Sequence, residues 1–127
     1  MRLLTASGIA AGLVLSAACA SSGPPISSEE IADSENVVRS AENANAAQDA
    51  RDLLDRAHGA LDLARGEWQA KHFDAARRHL REAEAAAKAA EARSREAQLD
   101  RQAADLRRDV ESLEKQVRDL NAQLQKQ

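Results

Sequence analysis

Residues 51–90 read RDLLDRAHGALDLARGEWQAKHFDAARRHLREAEAAAKAA, and their spacing decides the fold. With Ala50 in front, small and apolar residues recur at Ala50, Leu54, Ala57, Leu61, Ala64 and Trp68, in alternating steps of 4 and 3. That is the seam of a helix packed lengthwise on another. Gln69-Ala70-Lys71-His72 breaks the pattern. It resumes at Phe73, Ala76, Leu80, Ala83, Ala87 and Ala90 in the same alternation, shifted in phase. Two matched seams on either side of a short interruption predict an antiparallel helical hairpin. Trp68 and Phe73 bracket its turn and are expected to pack together. Leu53, Ala60 and Leu63 widen the first stripe, so that helix is expected to touch two neighbours. No proline forces the turn, and a single unbroken helix from 46 to 127 is the alternative.

Composition agrees with helices. Of 127 residues 43% are hydrophobic but only 2% aromatic, with no Tyr and one each of Phe, Trp and Met. Ala and Leu without aromatics cannot fill a thick sandwich, but they fill the narrow seam between closely approaching helices. Ala, Leu, Arg, Glu and Gln are also the strongest helix formers. No segment shows the β-branched alternation of a strand. The expected class is all-α: a three-helix arrangement built on the hairpin, in one small domain.

Upstream, Ser27 and Glu30 form the spacing of a capping box, and Ile26 and Ile31 that of a hydrophobic staple, so a helix starts after Ser27. It is expected to run to about 43–45 and to turn Ile31, Val37, Val38 and Ala41 inward. Asn45, with Gln48 three residues on, reads as the cap of the next helix.

Downstream, Leu99, Ala103, Leu106, Val110, Leu113, Val117, Leu120 and Leu124 repeat in steps of 4 and 3. Taking Leu99, Leu106, Leu113 and Leu120 as d positions places Ala103, Val110, Val117 and Leu124 at a. This predicts a coiled-coil extension over 98–127. Continuing the Phe73–Ala90 seam by heptads reaches Ala97, so the new stripe is turned by about 200°. One helix would use one face for its hairpin and nearly the opposite face for another helix, most simply a second copy. Val at a with Leu at d favours a parallel pair. There Arg95 would meet Asp100 favourably, and Asp109 would meet Glu114 unfavourably. A trimer, an antiparallel pair and a foreign helix stay open. Glu111–Lys115 and Glu114–Arg118 are spaced to support the helix itself.

The N-terminus carries one charge, Arg2, then an uncharged Ala/Gly/Leu-rich run ending Leu15-Ser16-Ala17-Ala18-Cys19. A positive residue, a short apolar stretch and a small-residue exit are the secretory pattern, and the run is short for a permanent membrane span. The exit resembles the lipobox of bacterial lipoproteins, with Leu15 one place further from the Cys than that family prefers and Ser16 in its place. The resemblance implies cleavage between Ala18 and Cys19 and a diacylglycerol on the Cys19 thiol. It further implies outer-membrane delivery, because no Asp follows Cys19. An ordinary signal peptide with a free Cys19 is the plainer reading. Residues 1–18 are thus expected to be a signal peptide, 19–26 a lipidated linker, 27–97 the helical domain and 98–127 the extension. Gly23, Pro24 and Pro25 exclude helix from the linker. Its residues 20–26 reach about 23 Å.

Residues 64–83 resemble a single tetratricopeptide-like hairpin, too few units for a repeat protein. More broadly, Ala41-Glu42, the Ala57…Leu61…Ala64 run and Phe73-Asp74-Ala75-Ala76…Ala83…Ala87…Ala90 resemble an uncharacterised family of Ala-rich bacterial envelope lipoproteins. That family is a domain of unknown function, sometimes followed by an OmpA-like peptidoglycan-binding module. The coiled-coil stripe stands where that module would. The chain also resembles the Braun-type lipoprotein, a lipidated coiled coil joined to peptidoglycan through a terminal Lys. Here Gln127 follows Lys126, so that linkage is not carried over.

Other chemistry is sparse. His58, His72 and His79 are the only histidines; His72 and His79 are seven apart where a helical zinc site takes i, i+4, and no second Cys or suitable carboxylate cluster completes a site. No nucleophile motif or phosphate loop is present. No catalysis, metal or cofactor is therefore expected. Without Arg2, 17 basic residues face 21 acidic ones, net −4, which argues against nucleic acid. Lys71, His72, Arg77, Arg78 and Arg81 cluster near the turn, either facing lipid phosphates or an acidic polymer, or paired with Asp55, Asp62 and Glu67. If the first helix leaves a membrane, the hairpin turn comes back to it, making Trp68, Lys71 and Phe73 candidate membrane-surface contacts. The expected function is that of an outer-membrane-anchored periplasmic lipoprotein with a structural or scaffolding role, self-associating through Leu99, Leu106, Val110, Leu113, Val117, Leu120 and Leu124. The alternative is a helical module that docks an envelope protein on the same stripe. Peptidoglycan stays open as a partner, with no motif to assign it.

Overall fold

The computed structural model describes residues 24–126, all helix, turn or short connecting segment. Cys19, the cleavage position Ala18 and the signal segment lie outside the described residues. The elements are α1 (Ser28–Asn43), α2 (Ala46–Asp49), α3 (Arg51–Gln69) and α4 (Phe73–Leu124). The all-α hairpin architecture is as the spacing predicts, with a real turn between α3 and α4.

The chain enters α1 through the capping box. Ser27 Oγ accepts from the Glu30 amide at 3.1 Å, and the Ser27 amide donates to Glu30 Oε1 at 3.4 Å. Ile26 and Ile31 are both buried, as a staple requires. The pairings across helices fix the topology. Glu35 meets Arg65 and Glu42 meets His58, so α1 and α3 are antiparallel. Asp52 meets Arg93 and Arg56 meets Glu82, so α3 and α4 are antiparallel. Ser34 meets Glu84 and Ala44 meets Gln98, so α1 and α4 are parallel. The bundle runs up, down and up.

Its core is nearly all alanine and leucine: Ala57, Leu61 and Ala64 from α3 against Ala76, Leu80, Ala83, Ala87 and Ala90 from α4, with Ile31, Val38 and Ala41 from α1. Val37, Leu53, Trp68 and Phe73 pack around it. Small side chains at the crossings let the backbones approach, and burial of the Leu and Ile side chains contributes roughly 1.5–3 kcal/mol each. Ala86 and Ser94 are buried as well, beyond the predicted seam. Ser94 Oγ donates to the Ala90 carbonyl at 3.0 Å, which satisfies the hydroxyl within its own helix.

Two details differ from the reading of the sequence. Asn45 stands at the N-cap position of the following turn, as expected, but its side chain makes no capping hydrogen bond. Its φ of 73° places it past the end of α1, in the left-handed conformation that asparagine tolerates there. Its amide Nδ2 instead donates to Gln48 Oε1 at 3.2 Å. The expected second helix is interrupted at Ala50 (φ −149°, ψ 42°), so a single turn, α2, precedes α3. That turn buries Ala46 and Ala50 and aims Asp49 at α4. Of the residues expected to widen the buried stripe, Ala60 is buried and Leu53 packs against the core, whereas Leu63 is 56% exposed.

The α3–α4 turn is closed by a Schellman motif. The His72 amide donates to the Glu67 carbonyl at 2.9 Å and the Lys71 amide to the Trp68 carbonyl at 3.0 Å, with Lys71 at φ 64°. Where the motif usually carries an apolar contact, His72 Nδ1 lies 2.8 Å from Glu67 Oε2.

Candidate functional site

Of its 52 residues, α4 uses the part up to Arg101 for the bundle. The last contacts are the Gln98 amide on the Ala44 carbonyl at 3.0 Å and the Arg101 guanidinium on both oxygens of Asp49 at 2.8 and 2.9 Å. Beyond them the helix continues alone for about 35 Å. The predicted stripe lies on this projection: Leu99, Leu106, Val110, Leu113, Val117, Leu120 and Leu124 are each between 53% and 69% exposed. Leu99 sits beside the bundle yet stays exposed, because its face is turned away from the one that Ser94 and Gln98 present inward. Val110, Leu113 and Val117, with Glu114 and Arg118, line one shallow groove on the stripe. Glu114 and Arg118 pair at 3.7 Å as their spacing suggests, whereas Glu111 and Lys115 form no ion pair.

At the opposite end, the start of α1 and the α3–α4 turn come together. Trp68 Nε1 donates to the Ile26 carbonyl at 3.0 Å, and Arg77 Nη2 to the Pro24 carbonyl at 3.1 Å. Pro25, Ile26, Trp68, Lys71 and Phe73 line a shallow depression there. Trp68 and Phe73 are half-buried, with much of their surface already used by the core, and Lys71 is exposed.

The basic cluster is only partly paired as its bland reading supposes. His72 meets Glu67, but Asp55 pairs with Arg51 at 3.8 Å and Asp62 with Arg65 at 3.0 Å, both within their own helix. The histidines do not converge: His58 meets Glu42 at 3.0 Å and His79 lies 3.8 Å from Glu82. Among the described residues no three His, Cys, Asp or Glu side chains gather as a metal would need. No described helix is long and apolar enough to cross a membrane.

The pairs Arg56–Glu82, Arg65–Glu35, Arg93–Asp52 and Arg101–Asp49 between helices went unread in the sequence, since periodicity says which face a charge is on but not which partner it meets. Arg101 holds the Asp49 carboxyl, only 6% exposed, below the usual carboxylate range through its hydrogen bonds. Arg56, at 2.8 Å, does the same for Glu82. Glu35, with Asp62, raises Arg65.

An alanine-seamed three-helix bundle with one helix prolonged into solvent defines a class of helical stalk rather than an enclosed-pocket fold. The chain belongs to the family DUF4398, a domain of unknown function, which matches residues 29–106. No curated protein and no solved structure matches it. The family region covers the bundle and ends at Leu106, so the stripe from Val110 onward lies beyond it.

Proposed function

We propose that the chain is a lipoprotein, anchored through Cys19 to the periplasmic face of an outer membrane, with a structural or scaffolding role exercised by self-association of the α4 extension as a coiled coil. The observation that carries the reading is the row of seven exposed Leu and Val side chains, six of them, from Leu106 onward, on a helix with no other element beside it. So long an apolar stripe on a solitary helix calls for a cover. Two further features support it. Pro24 and Ile26 are held by Arg77 and Trp68 at the end of the bundle remote from the stripe, so an anchor preceding them would leave the stripe pointing outward. Trp68, Lys71 and Phe73 lie at that same end, a composition suited to a headgroup region.

Light scattering tests the self-association. Truncation after Gln102 retains Gln98 and Arg101, and with them the bundle. The full mature chain is expected to be an oligomer and the truncated one a monomer; an unchanged mass would remove the stripe as the contact, and a monomeric full chain would turn the reading towards a foreign partner. Replacing Cys19 by Ala should release the protein from the membrane fraction, and continued sedimentation with membranes would remove the lipid anchor.

A further inference from the structure

We infer that the stripe pairs with a second copy of the chain in antiparallel orientation, centred between Glu111 and Ser112, so that the two bundles lie at opposite ends of the assembly. The inference rests on the self-association proposed above and replaces the parallel expectation drawn from Val at a and Leu at d.

Charge is the first ground. In a parallel pair Asp109 at g faces Glu114 at e of the copy, and this repulsion occurs twice. The compensating attraction, Arg95 to Asp100, competes with the close pair that Arg95 makes with Glu91 of its own helix, whereas Glu114 is held by Arg118 only at 3.7 Å. One heptad further up, Glu96 would occupy an a position facing itself. In the antiparallel register e faces e and g faces g. Arg107, which has no ion pair among the described residues, then meets Glu114 of the copy twice, Asp100 meets Asn121, and Asp109 meets Gln116. No like charges oppose. Sliding by one heptad either way spoils this: one slip opposes Arg107 to itself and Asp100 to Glu114, and the other opposes Glu114 to itself. The flanking charges therefore select one register as well as one direction.

Packing is the second ground. A parallel pair sets Ala103 against Ala103, which leaves a void in the seam. The antiparallel register sets Ala103 against Leu120, Leu106 against Val117 and Val110 against Leu113, a smaller residue facing a larger one in each of these layers. Leu99 is free to meet Leu124 because it is turned away from the bundle. The two hairpin ends would then stand about 115 Å apart and face away from each other.

Disulfide trapping in the full chain tests direction. The parent protein, with Cys19 as its only cysteine, sets the background. Chains carrying Leu99→Cys and Leu124→Cys are mixed, allowed to exchange and oxidised. The expected result is a covalent dimer from the mixture and none from either chain alone. A dimer from Leu99→Cys alone would overturn the antiparallel arrangement and leave self-association standing. A dimeric mass without any disulfide would overturn the register, as would a trimeric mass. A monomeric parent would overturn self-association itself, and this inference with it. Glu114→Lys gives an independent sign. It sets Lys against Arg107 in the antiparallel pair and should raise the dissociation constant roughly tenfold. In a parallel pair it relieves Asp109, and tighter association would refute the inference.

Discussion

Lys71 is a non-glycine residue at the position where a Schellman turn most favours glycine, and it carries the steric cost of a left-handed backbone. Lys71→Gly should stabilise the bundle by about 1 kcal/mol, seen as a shift in urea midpoint at unchanged slope. Trp68→Phe keeps the packing but leaves the Ile26 carbonyl without its donor. It should cost about 1 kcal/mol and make the chain near Ile26 more open to proteolysis. The carboxyls of Asp49 and Glu82 titrate lower in the folded chain than in the unfolded one. On acidification the unfolded chain therefore takes up protons first. The stabilisation is fully present above the unfolded values of about 4 and is lost as pH falls through the folded ones. The melting temperature should fall below about pH 4, and less steeply in Asp49→Asn.

At the scale of the helix, α3 holds Gly59 and Gly66 where no neighbouring atom lies within 4 Å of an added Cβ. Their presence is not demanded by close packing, and Gly66→Ala should stabilise by about 0.5–1 kcal/mol in thermal denaturation. Ala83 is the opposite case. Fully buried between α3 and α4, it leaves no space for Leu, and Ala83→Leu should cost about 1–3 kcal/mol, whereas Ala104→Leu on the exposed projection should change little. These seams were legible because period 3.5 is written directly in Ala57–Leu61–Ala64 and Ala76–Leu80–Ala83. The α1 start was legible because Ser27, Glu30, Ile26 and Ile31 agree with one another. The break at Ala50 was not, since alanine carries no turn signal and tertiary docking of Asp49 on Arg101 accompanies it. The two neighbours expected from the wide stripe are there, and Ala60 is buried with it, but the width does not tell where the covered face ends, and Leu63 falls outside it. The stripe from Leu99 to Leu124 was read residue by residue, and the structure leaves it exposed, since periodicity in one chain marks an apolar face without saying what meets it.

On the scale of the whole molecule, stability is divided unevenly. The bundle has its own core, while the projection beyond Gln102 has only intrahelical hydrogen bonds and pairs such as Glu114–Arg118. A solitary helix of that length is marginal in water. With the self-association proposed above, dilution should lower the helical signal at 222 nm in the full chain and leave the chain truncated after Gln102 unaffected. Amide exchange should localise the loss to 103–124. Since α4 runs from the bundle into the projection as one uninterrupted helix, the bearing of one face is set by that of the other. One extra residue inserted near Gln102 would swing the leucines by about 100° relative to the bundle. Seven would restore the bearing to within about 20° and lengthen the reach by about 10 Å. Paired as inferred above, two chains would therefore hold their bundles at a span that changes only in quanta of one heptad.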